Sequence, residues 1–357
     1  MGILALFSKV ASTVTQAVLK SSSFGDANNR FQLAGLNSYQ KGEKMNTNSK
    51  AIENKDVKLK EINMNKTKSY YVTSRPHVVK ELVLFFIITF AIMFGLGGLG
   101  MIFRSQVEKV FGPISNNNLF VMLLIYAPTI AGLTLTIIFE KWSGLVALFK
   151  RGVLFTKPKW LIVALFMIPL ILLVYGLFTY LTGIGASSFN WIAYFGTFPL
   201  LIFSLNIFTD AGPLGEELGW RGYALPRLLQ LHSPIAATSI LSVFWTVFHL
   251  VAFLSPGTRQ SGMSFVWFTL FVFSLGFIFT WLYMKTGGNW IISGVLQHYL
   301  INSFLINQAT KVGPGLSISL CLAVIIIFLF KGFRESRLAR GGASFKSSLA
   351  DAPDIEL

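Results

Sequence analysis

Blocks of about twenty apolar residues recur along this chain, and each is long enough to cross the roughly 30 Å hydrocarbon core of a bilayer as an α-helix. In lipid every backbone N–H and C=O needs a partner inside the protein, so only helices and closed barrels span it. Barrel strands alternate apolar and polar residues, and these blocks do not. Composition agrees: 53% of the 357 residues are hydrophobic and 13% are charged, against about 25% charged in an ordinary soluble domain. The expected fold class is all-α, a polytopic membrane helix bundle of about eight transmembrane helices with a disordered polar N-terminal tail.

The spans are expected near 82–103, 119–139, 159–182, 190–208, 235–254, 263–285, 288–307 and 315–332. An even number of crossings puts both termini on one side. The tails are basic, and so is the connection holding Lys141, Lys150, Arg151, Lys157 and Lys159, while the connection near 183–189 is uncharged. The positive-inside rule then predicts an integral, multi-pass protein with both termini cytoplasmic. Much of the net charge of +15 lies in these flanks. It reads as attraction to membrane lipid headgroups, and no nucleic acid partner is expected. Residues 1–78 read as a polar, mostly disordered tail, with Ile3, Phe7, Val10, Val14 and Val18 at helical spacing in its first twenty residues. Residues 79–332 form the transmembrane domain and 333–357 a cytoplasmic tail. The single cysteine, Cys321, excludes an intramolecular disulfide and a cysteine-based zinc cluster. The halves show no internal repeat, which argues against a transporter built from inverted repeats.

One stretch breaks the apolar pattern. In "GPLGEELGWRGYALPRLLQ", residues 212–230, Glu216 and Glu217 precede Arg221; between Glu140 and Glu335 the only other acid is Asp210. Glu217 and Arg221 are four residues apart, on one helical face, and can pair. Glu216 is rotated about 100° away and stays free for proton chemistry. Pro226 should kink or end the segment. Asp210, just before Pro213, reads as a helix cap rather than a catalytic group. The span order places this stretch between spans four and five, on the cytoplasmic side. Two histidines lie inside apolar segments: His249 in "SVFWTVFHLVAFL" and His298 in "WIISGVLQHYLINSF", with Asn302 one turn beyond His298. Ionisable groups in spans are costly and mark function, though each of these taken singly also suits an ion pair or an interhelical hydrogen bond. Together they suit amide hydrolysis. A Glu and a His take a proton from water, and a second His with an Asn donates hydrogen bonds to the developing oxyanion.

These residues resemble a known family. "EELGWR" is similar to the E-E-x-x-x-R motif of the CAAX protease and bacteriocin-processing (CPBP) intramembrane proteases, "WTVFH" to its F-x-x-x-H, and "HYLIN" to its H-x-x-x-N, in the same order, within about residues 80–332. The resemblance implies an intramembrane endopeptidase like the type II CAAX prenyl endopeptidases, cutting membrane-associated peptides or lipidated proteins such as prenylated or bacteriocin-like substrates. It implies that Glu216 and His249 activate water, that His298 and Asn302 stabilise the oxyanion, and that Glu217 and Arg221 support the site. Access is expected from the cytoplasmic side. Two departures stand out. Trp245 replaces the Phe of the second motif, where another aromatic should serve packing, and Gln297 puts an amide before His298. No H-E-x-x-H is present, and the resemblance to members described as metal-independent glutamate proteases implies no cofactor; the alternative is zinc on Glu216, His249 and His298. The alternative function is a catalytically silent membrane binding or self-immunity protein on the same scaffold.

Overall fold

The computed structural model describes residues 75–153, 158–183, 189–203, 210–307 and 310–330. The expectations for most of the N-terminal tail and for the C-terminal tail lie outside these residues. The described chain is an all-α polytopic membrane bundle. Five of its helices are long and apolar enough to cross a membrane, at His77–Ile102, Ala127–Val153, Lys159–Thr182, Pro234–Leu254 and Phe265–Lys285, with two shorter apolar helices at Ile291–Ile306 and Pro314–Leu329.

In chain order, α1 (Arg75–Phe90) runs through a π turn (Ala91–Leu96) into α2 (Gly97–Ile102), followed by the short α3 (Arg104–Phe111). A loop stapled by Asn118 leads to α4 (Leu119–Ile125): its amide donates to the carbonyls of Phe111, Gly112 and Pro113, and its oxygen caps α4 through Phe120 N–H. The helix α5 (Ala127–Val153) is broken at Lys141, whose φ of 60° and ψ of −158° are not helical. It is followed by α6 (Lys159–Thr182) and α7 (Trp191–Phe203). Then come α8 (Ala211–Glu217), a π turn (Leu218–Ala224) and α9 (Leu225–Leu231), which form one continuous rod. The chain continues with α10 (Pro234–Phe248), α11 (Leu250–Leu254), α12 (Phe265–Lys285), a π turn (Ile291–Val295) leading into α13 (Leu296–Ile306), and α14 (Pro314–Leu329).

Polar ties identify the two ends of the bundle. At one end Arg227 pairs with Glu81 and Glu140, Arg151 donates to Gly222 O, and Trp290 donates to Leu148 O. At the other, Arg104 donates to Pro256 O, Arg259 N–H donates to Asn116, and Phe189 bridges Thr310. Lys80, Lys150, Arg151, Lys159 and Lys285 belong to the first end, since they sit at the helix termini that these ties gather.

The acidic stretch is not in a loop. The α8–α9 rod lies inside the bundle, and most of its residues are buried. It packs against α5, tied there by the Thr129 hydroxyl donating to Leu214 O. Within the range 190–208 the structure describes α7 (Trp191–Phe203), and residues 204–209 lie outside the described residues. Side chains facing out of the bundle are large and apolar, as lipid requires: Ile102, Leu181, Ile192 and Leu329 are each at least 74% exposed.

Pro226 does not end the rod. It lacks an N–H, so a helix through it leaves an upstream carbonyl without its usual donor. The π turn just before it widens the helix, and Gly222 O accepts instead from the Arg151 guanidinium at 3.4 Å. Gly219 permits the close packing, because a Cβ there would overlap the Pro128 carbonyl on α5.

Candidate active site

The site forms where the α8 rod, the end of α10 and α13 meet. Asp210 caps α8, its Oδ1 accepting from Gly212 N–H, while its Oδ2 accepts from Asn302 Nδ2 at 2.8 Å. It therefore also orients Asn302, a second role that its position before Pro213 did not suggest.

Glu217 is fully buried and holds two partners. Arg221 Nη1 lies 2.9 Å from its carboxylate, and His298 Nδ1 donates to its Oε1 at 2.8 Å. A carboxylate only accepts, so His298 Nδ1 carries the proton. Two glycines make room for this arrangement. A Cβ on Gly294 would stand 2.7 Å from Glu217 Oε2, and one on Gly212 would stand 3.2 Å from His298 Nε2 and 3.3 Å from Asn302 Nδ2. His298 Nε2 and the Asn302 amide thus border one small space.

Glu216 points the other way, into a cavity of about 340 Å³. Its Oε2 accepts from the Trp245 indole N–H at 2.6 Å, and its Oε1 lies 3.9 Å from His249 Nε2. His249 sits at the break between α10 and α11, and its Nδ1 donates to Trp245 O at 2.8 Å. That bond leaves the neutral ring's lone pair on Nε2, the atom nearest Glu216.

Sequence reading placed Trp245 as packing, and this is corrected. Its N–H grips Glu216, its ring lies 4.1 Å beneath the Arg221 guanidinium, and it meets the His298 ring edge-on at 5.8 Å. Substitution of Trp for Phe adds a hydrogen-bond donor; a polar atom at an otherwise aromatic position beside a buried acid was the available signal. Gln297 turns away from the site, donating to Ala164 O on α6 at 2.8 Å. Also missed was a second ionic cluster at the first end: Arg227, buried, pairs with Glu81 at 2.6 Å and with Glu140, and stacks on Tyr223 at 3.5 Å. Its members lie far apart in sequence, so spacing could not reveal it.

The inner wall of the cavity carries Glu216, Trp245 and His298, all buried; its middle is apolar, with Phe268, Phe271 and Leu275. The rim carries Asn117, Arg259 and Lys311, all exposed. The mouth therefore lies at the second end of the bundle, opposite Lys150 and Arg151. Among the described residues no three His, Cys, Asp or Glu side chains form a group disposed to hold a metal ion.

A membrane helix bundle with a carboxylate, two histidines and an amide around a buried cavity defines the class. Residues 197–304 match the family described as type II CAAX prenyl endopeptidase Rce1-like, a segment that includes every residue of the site. CAAX prenyl protease 2 of Methanococcus maripaludis is 32% identical over 130 residues, covering 34% of this chain and 48% of that protein. The chain thus spans about half the length of this curated relative. The matched segment is similar to this family and contains all three motifs on which the resemblance was read.

Proposed function

We propose that this protein is an intramembrane endopeptidase in which Glu216 is the general base. The observation that carries this reading is the geometry of Glu216 and His249. Oε1 and Nε2 are two acceptors 3.9 Å apart, a separation that one water spans when it donates to both through bonds of about 2.8 Å. As the water oxygen adds to the scissile carbonyl carbon, one O–H bond breaks and its proton passes to Glu216. The carbonyl π electrons move to oxygen. His298 and Asn302 border the space beside this point. With Glu217 accepting at Nδ1, a doubly protonated His298 also offers Nε2–H to the oxyanion, while Asn302 offers the N–H not given to Asp210. Collapse breaks the C–N bond, and the proton moves through Glu216 or His249 to the leaving amine. Arg221 balances the Glu217 charge behind His298.

The relative's name and the apolar cavity support a membrane-associated or prenylated peptide as the substrate class. Apolar walls suit apolar side chains. Arg259 and Lys311 at the rim suit a C-terminal carboxylate, as released or presented by a short C-terminal peptide. The reaction as written uses no metal.

The test is cleavage of prenylated and unprenylated peptides by purified protein in detergent, with a zinc chelator as a separate arm. Wild type should cut, Glu216→Gln should fall by at least about 10³-fold, in the range expected when a general base is lost, and chelation should change nothing. Equal cleavage by wild type and Glu216→Gln removes Glu216 as base. Full biological activity of Glu216→Gln in cells establishes the silent-scaffold alternative.

A further inference from the structure

We propose that Trp245 is a positioning residue for the reaction: its indole N–H fixes the Glu216 carboxylate so that Oε1 faces His249 Nε2. This rests on the reading of Glu216 as the base. A glutamate side chain has three rotatable bonds and two equivalent oxygens, so a base on it is imprecise unless one oxygen is held. Here Oε2 is held at 2.6 Å by a donor that is itself 2% exposed. The same residue supplies the carbonyl that sets the His249 tautomer, through Nδ1 at 2.8 Å. One residue of α10 thus aligns both halves of the water-activating pair. The Arg221 guanidinium lies over both the indole ring, at 4.1 Å, and the Phe279 ring, at 4.7 Å, and the two rings are 5.9 Å apart, so the indole is packed against both.

Removing the N–H leaves Oε2 without its donor and frees the carboxylate to rotate. Arg221 and His298 also meet the indole ring, so a variant that keeps the ring and loses only the N–H isolates the hydrogen bond.

The experiment compares wild type with Trp245→Phe, which keeps an aromatic ring, and with 3-benzothienylalanine at position 245, which keeps the indole shape and lacks the N–H. In both variants kcat should fall about 10- to 100-fold with KM little changed, the loss expected for a hydrogen bond to a charged group. A readout independent of cleavage is the infrared carboxylate stretching band of Glu216, assigned by its absence in Glu216→Gln; it should shift in both variants, because Oε2 loses its hydrogen bond. An unmoved band in the benzothienyl variant overturns the proposal, whether or not Phe is tolerated. A shifted band in a protein that cuts no peptide leaves the positioning intact and removes the protease reading instead.

Discussion

Arg221 is 1% exposed and its carboxylate partner Glu217 is fully buried. A buried ion pair adds modestly to stability as a pair, yet removing one member strands the other charge, at a cost of about 3–5 kcal/mol. Glu217→Ala should therefore lower thermal stability in detergent sharply, and Glu217→Gln, which keeps an acceptor for Arg221 and His298, much less. Equal melting temperatures for the two would mean that the charge of Glu217, which both variants remove, and not its acceptor oxygens, holds Arg221. Gly294 tests the same group from the other side. Its Cβ would stand 2.7 Å from Glu217 Oε2, so Gly294→Ala should displace the carboxylate and with it His298. Peptide cleavage should drop about 10-fold or more, since an orienting group moved by a fraction of an ångström loses the productive geometry. Unchanged turnover would show that Glu217 has slack.

At the scale of elements, the α8–α9 rod depends on helix irregularities and on small residues. Pro226 forces the widening before it, and the π turn carries Arg221 on a backbone bonded differently from an ordinary helix. Such turns collect at functional sites because they shift the register of side chains by a fraction of a turn. Gly219 brings the rod onto α5. A methyl group there has no space, so Gly219→Ala should destabilise by about 1–3 kcal/mol, the usual cost of overpacking. Gly262→Ala is the matched control, because nothing lies within 4 Å of a Cβ at that position. Equal unfolding midpoints for the two variants would show that the rod does not need the contact.

At the scale of the whole molecule, the cluster of Lys80, Lys150, Arg151, Lys159 and Lys285 and the cavity mouth occupy opposite ends of the bundle. Lys150 is exposed at the first end and Lys311 at the second. In a Cys321→Ser background, single cysteines at these two positions should react with an impermeant maleimide from opposite faces of the membrane. The charge distribution predicts that Lys311→Cys reacts in intact cells and Lys150→Cys only after permeabilisation. The reverse pattern would put the mouth in the cytoplasm, and labelling of both from one face would contradict the fold's division.

The apolar blocks by themselves determined an all-α membrane bundle, because lipid leaves a chain few ways to satisfy its backbone. Local spacing also brought Glu217 to Arg221 and His298 to Asn302, since residues four apart on a helix share a face. Tertiary structure decided the rest. The acids, arginines and glycines of the site lower the apolar signal of the α8–α9 rod, so hydropathy gave it no span of its own although it lies buried in the bundle. The approach of Glu217 to His298, of Asn302 to Asp210, and of Arg227 to Glu81 and Glu140 joins residues many positions apart, and no periodicity encodes such pairings. Trp245 shows the limit most clearly. Its sequence position says aromatic and buried; only the packing of α10 against the rod decides that its one polar atom points at Glu216.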